Sequence, residues 1–161
     1  MMLCHGERSE TLGGYKMTDR SRGNWWPYFA NGSFVIIGGL LLANGVFMMA
    51  APEEWFWSIP GVASTGDYNP HLVKDVGFTY GLLALALFAA LRVRSARHIL
   101  LSIVSLWLVA HAILHLVDVA TGCLPPENLV IDSPGVFFPA VFMCVMTWLD
   151  FRWSRVAWTN D

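Results

Sequence analysis

The chain has 161 residues, 55% of them hydrophobic and only 14% charged, with eight Trp and ten Phe and a mean hydropathy of +0.50. A soluble domain carries about 25% charge, so this deficit argues against an ordinary water-soluble fold and points to a bilayer. The net charge of −2 gives no electrostatic case for nucleic acid or acidic lipid, and Cys4, Cys123 and Cys144 form no CxxC pair that would suggest a disulfide framework or a thiolate metal site.

Residues 1–32 form a polar arm containing Arg20 and Arg22. It is expected to be cytoplasmic and partly disordered, with no cleavable signal peptide. MTDRSR begins at Met17, so residues 1–16 read as an extension. Trp25, Trp26, Tyr28 and Phe29 then supply an interfacial aromatic belt, matched by Trp148, Trp153 and Trp158.

A hydrocarbon core of about 30 Å takes roughly 20 apolar residues in helix, and four stretches meet this: about 33–51, 70–91, 97–121 and 134–151. Asn69-Pro70 and Ser133-Pro134 offer a capping oxygen followed by proline in the first turn. Gly122 follows the third span, where a left-handed residue is often required. Pro139 is placed to kink the fourth. Trp55, Phe56 and Trp57 read as a short turn lying on the headgroups.

Gly77 and Gly81 form a GxxxG in the second span, and Gly39 with Ala43 a small-xxx-small in the first. Such spacing permits close backbone approach, within the chain or across a homodimer. Asn44, in mid-span, is expected to bond across helices to Tyr80 or Thr79.

Arg92, Arg94 and Arg97 lie in the connector after the second span, and Arg152 and Arg155 follow the fourth. The other two loops carry Glu53, Glu54 and Asp67, and Glu127 and Asp132, with no basic residue. The positive-inside rule puts both termini in the cytoplasm. The fold expected is all-α: one four-transmembrane-helix bundle over 33–158.

Ionisable groups interrupt two spans. His71, Lys74 and Asp75 open the second, and His111, His115 and Asp118 occupy the third. Spacings of three and four residues put His71 with Asp75, and His111 with His115 and Asp118, on single faces. At about 1.5 Å per residue, Asp75 is ~7 Å inside its helix end, His115 ~9 Å, Asp118 ~5 Å and His111 ~15 Å. Two polar stripes avoid lipid by facing each other, so Asp75, His111, His115, His71 and Asp118 are expected to meet near the outer face. Imidazole with carboxylate suits a transition metal such as Zn, Fe or Cu. Haem is less favoured, because nothing in the sequence is specific to it. The same groups equally suit an interhelical network pairing Asp75 with His115 and Lys74 with Asp118, or a proton path. His98, beside Arg97, reads as an interfacial cation, and Cys144, Met143 and Met146 as core fillers.

The run WFWSIPGVASTGDYNPHLVKDVGFTYG, with HAILHLVD further on, resembles a group of small, uncharacterised bacterial inner-membrane proteins. They share an outer-loop PGV–TG motif, a helix start N-x-H-x-V-[KR]-D-[IV]-G and a helix end H-x-x-x-H-x-x-D. The likeness covers about 52–118, and Gly61, Thr65, Gly66, Asn69, His71, Lys74, Asp75, His111, His115 and Asp118 carry it. In size and topology the chain also resembles the DoxX-like four-helix group. The resemblance implies four spans and an inner-membrane location, and brings no activity. Three functions stay open: a metal or redox-cofactor binding module, a structural or assembly subunit of a membrane complex, and a small proton-coupled carrier or membrane enzyme.

Overall fold

A computed structural model describes residues 25–158, the side chains of 155–158 excepted. The arm with Cys4, His5, Arg20 and Arg22, and the side chains of Arg155 and Trp158, lie outside the described residues. The first helix, α1, runs Trp26–Ala50 and takes Pro27 into its first turn. It therefore starts at the aromatic belt, ahead of the expected position 33. Pro52 prevents its continuation, because proline lacks the N–H and clashes with the preceding turn. Ala51 turns the corner, and α2 (Pro52–Ser58) follows at once. The next long helix, α3 (Pro70–Arg92), opens on Asn69, whose Oδ1 accepts from the N–H groups of His71 and Leu72 at 3.0 and 3.2 Å. A short 3-10 turn, Arg94–Ala96, leads into α4 (Arg97–Ala120), which ends before Gly122 at φ +78°.

A single turn, α5 (Asn128–Ile131), precedes the last helix, α6 (Phe138–Trp158). The expected Ser133 cap is not formed. Residues Ser133–Phe137 instead make one π turn, in which the Phe138 N–H bonds Ser133 O. Pro139 has no N–H to donate back to this turn, so the kink expected there takes the form of a widened turn.

Among the described residues, four helices are long and apolar enough to cross a membrane: Trp26–Ala50, Pro70–Arg92, Arg94–Ala120 and Ser133–Ser154. The described residues contain no strand. Helix α1 packs chiefly on α3 and α4 on α6, while α3 against α4 joins the two pairs. Phe34, Leu87, Leu101 and Met143, one from each long helix, are fully enclosed at the centre.

The α1–α3 seam is a backbone contact. A Cβ on Gly45 would stand 2.6 Å from Gly77 O, and one on Gly77 would stand 2.7 Å from Met48 Cβ. Gly77 is thus in the seam as expected, but its counterpart is Gly45. Gly39 meets nothing within 4 Å, and Gly39 and Ala43 both lie on the exposed face of α1. Asn44 also has a different partner from the one expected. Its Oδ1 accepts from Trp55 Nε1 at 2.8 Å, which pins α2 against α1. Phe56 is buried against Tyr68, leaving Trp57 as the aromatic of that helix that points outwards.

Candidate functional site

Charge divides the bundle into two ends. Glu53, Glu54, Asp67, Glu127 and Asp132 lie in the two loops that join α1 to α3 and α4 to α6. Arg92, Arg94, Arg97 and Arg152 lie at the opposite end, with the α3–α4 connector and the tail of α6. The buried acids among the described residues, Asp132 and Asp150, each anchor a cluster, one at each end.

At the acidic-loop end, His115 Nδ1 stands 2.7 Å from Asp132 Oδ2, with only 15% and 8% of the two side chains exposed. Asp132 comes from the turn after α5, so this contact ties α4 to the following loop. Asn128, itself 2% exposed, donates from Nδ2 to Ser64 Oγ at 3.2 Å. Gly61, at φ +84°, makes room for this meeting of loops. A Cβ there would lie 3.1 Å from Asn128 Nδ2, from Asp132 Oδ1 and from Ile131 Cγ2. The phenol of Tyr68, in the same loop region, is pushed above its ordinary value by desolvation and then by Glu53 and Glu54. From His115 the polar line runs inward to His111, whose ring meets His115 edge-on at 4.8 Å. His111 stacks on Trp107 at 5.0 Å and meets Tyr80 of α3 edge-on at 6.4 Å. The line ends there, against aromatic carbon.

The five residues expected to meet are divided. His111 and His115 come together, with Asp132 as the carboxylate. His71 and Asp75 bond each other across one turn of α3 at 3.3 Å, and their side chains are 86% and 63% exposed. Lys74 is exposed beside them. Asp118 is half-buried. Its carbonyl accepts from the Leu124 N–H at 3.0 Å, while its carboxylate bonds no side chain among the described residues. The pairings of Asp75 with His115 and of Lys74 with Asp118 are therefore not formed. The physical reason is that the loop after α4 folds back and supplies a closer acid, Asp132, which fills the place expected for Asp75. Among the described residues no three His, Cys, Asp or Glu side chains gather as a metal ion would require.

The second cluster is ionic. Arg97 Nε and Nη2 donate to Asp150 Oδ2 and Oδ1, both at 2.9 Å, a planar two-point match. Nη1 reaches Asn31 Oδ1 at 3.0 Å and Ala90 O at 3.4 Å, so one guanidinium touches α1, α3 and α6. His98 Nε2 lies 3.6 Å from Asp150 Oδ2 and 3.2 Å from Ser154 Oγ, its ring stacked on Phe151 at 4.2 Å. His98 is thus part of the tie between α4 and α6. Sequence reasoning assigned Arg97 to charge bias and gave Asp150 no role. The available signal was a carboxylate inside an apolar run, which in a membrane needs a partner.

No family model, curated protein or solved structure matches the chain.

Proposed function

We propose that the protein is a multi-pass membrane subunit that assembles with a further membrane helix through the first turns of α3, while its remaining buried ionisable groups hold its own helices in register. One observation carries this reading: His71, Lys74 and Asp75 stand exposed on a membrane-spanning helix, and among the described residues the side chains of His71 and Asp75 bond no side chain but each other. Ionisable side chains inside a span are costly against lipid and turn towards protein or water. A partner that offers polar groups at that level, in a larger complex or in a second copy of this chain, relieves the cost. The arginine bias supports an orientation with both termini in the cytoplasm and the acidic loops outside. The bacterial inner membrane as location rests on the sequence resemblance.

A photo-crosslinker at Leu72 or Phe78, exposed neighbours of the pair, tests this in native membranes. A discrete protein adduct is expected, and Asp75→Leu should abolish it while leaving thermal unfolding of the bundle unchanged. An adduct of twice the chain mass identifies a second copy, and another mass a larger complex. Adducts to lipid alone would overturn the assembly reading.

One observation favours a cofactor instead. A carboxylate accepts and does not donate, so with Asp132 at Nδ1 Nε2 of His115 is left without a hydrogen-bond partner among the described residues, on a ring 4.8 Å from that of His111. Proteins orient imidazoles towards Zn, Fe or Cu in this way. Elemental analysis of the detergent-purified protein, with and without His115→Ala, decides it. Stoichiometric metal that disappears in the variant supports the site, and its absence from both removes it.

A further inference from the structure

We propose that the groove between α4 and α6 at the arginine end holds one anionic phospholipid, with Arg152 on the headgroup phosphate and an acyl chain along the groove floor. The groove has a volume of about 480 Å³, within the roughly 300–1,000 Å³ typical of small-molecule sites. Its floor is made of small side chains, Ser105 from α4 and Cys144 and Thr147 from α6, with Ser102 above them. Ser105 and Thr147 are already hydrogen-bonded to each other at 2.9 Å, and Ser105 Oγ also donates to Met143 O at 3.2 Å. The floor therefore has little hydrogen-bonding capacity left for a polar ligand and suits a hydrocarbon chain.

The mouth is different. Arg152 Cζ lies 5.0 Å from the centre of the Trp148 ring, and both residues line the groove. The next residue, Trp153, packs on Trp26 at 6.0 Å. These aromatics mark the bilayer boundary, so Arg152 stands at headgroup depth. The one acid at this end among the described residues, Asp150, has both oxygens taken by Arg97, with His98 close by. Arg152 forms no ion pair among the described residues. The chain's overall charge of −2 thus conceals a local excess of cation. A helix seated in this groove would have to bury that guanidinium and bring its own carboxylate. A lipid phosphate meets it at the level where it already sits, and basic pockets between spans bind anionic headgroups in this way.

Native mass spectrometry of the full chain released from detergent, with added dioleoyl phosphatidylglycerol or dioleoyl phosphatidylcholine, tests the proposal. A single retained adduct that prefers phosphatidylglycerol is expected. Arg152→Gln should lower that preference about fivefold, the equivalent of ~1 kcal/mol for one basic side chain near an anionic surface. Arg94→Gln, on the α3–α4 connector, should leave it unchanged. Ser102 is exposed at the rim, and Ser102→Trp fills the trough, so adducts of both lipids should fall. Equal loss in the two arginine variants would mean diffuse attraction and overturn the site. Undiminished binding in Ser102→Trp would remove the acyl trough. A lipid-free dimer that cross-links through position 102 would assign the groove to a second copy.

Discussion

Replacing Asp150 by Asn keeps the shape of the side chain and removes its charge. The amide offers one oxygen to a guanidinium that now uses two, and its NH2 faces an N–H donor. Arg97 is then a cation with 16% of its side chain exposed, no carboxylate and one oxygen partner fewer. Removing one member of a buried ion pair costs about 3–5 kcal/mol. For a chain of this size that corresponds to a fall of roughly 6–20 °C in Tm, measured by far-UV circular dichroism in mild detergent. The double variant Arg97→Leu/Asp150→Leu should recover most of the loss, because a buried pair replaced by apolar groups is often neutral or stabilising. It should stop short of full recovery, since Asn31 loses the donor it has at 3.0 Å. A Tm for Asp150→Asn within about 2 °C of the parent would mean a solvated pair worth the ~0–1 kcal/mol of a surface contact, and would refute the reasoning.

Three further outcomes follow from the packing. Gly45→Val puts carbon against Gly77 O and Gly81 N and should destabilise the bundle by at least the ~1–3 kcal/mol of an overpacked core, whereas Gly39→Val, with nothing within 4 Å, should be near neutral in the same melt. Gly61→Ala forces a side chain to φ +84° and against Asn128 and Asp132; a cost of about 1–2 kcal/mol should be accompanied by faster amide exchange over residues 128–132. Asn44→Leu and Trp55→Phe each break the 2.8 Å bond between α1 and α2, and each should cost about 1 kcal/mol. In the double variant the two losses should not add.

The spans were legible because lipid imposes a simple rule of length and apolarity, and because Asn69-Pro70 and Gly122 act locally. The π turn was not legible, since proline marks where a helix must change and leaves open whether it kinks or widens. The clusters were harder for a different reason. Helical spacing correctly joined His111 to His115 and His71 to Asp75, as each pair depends on one helix alone. Which stripe faces which depends on helix rotation and on how loops return, and neither is encoded in spacing. Asp132 therefore took the place expected for Asp75, and Asp150, a single acid without a stripe, was passed over. Gly45 was missed in the same way: Gly39 and Ala43 carry the more obvious pattern, but α1 is rotated so that Gly45 faces α3.

Lipid gives helices no hydrophobic reason to associate, so their arrangement must come from close packing and polar contacts. The two helix pairs use these differently. Helices α1 and α3 meet backbone to backbone at Gly45 and Gly77, while α4 and α6 share the Ser105–Thr147 bond. Between the pairs, among the described residues, Arg97 is the one side chain in the four spans that hydrogen-bonds across, to Asn31 and to Ala90 O. At the opposite end the crossing is made in the loops, by Asn128 with Ser64 over Gly61. The seam between the pairs is therefore fastened at its two ends, with aromatic contacts of Tyr80 against Trp107 and His111 between them. Loosening either end should let the pairs part while each keeps its internal contacts. It follows that Asn31→Leu, which removes the bond from Arg97 to α1, and Gly61→Ala, at opposite ends of the bundle, should both expose the same central residues, Tyr80 and Trp107.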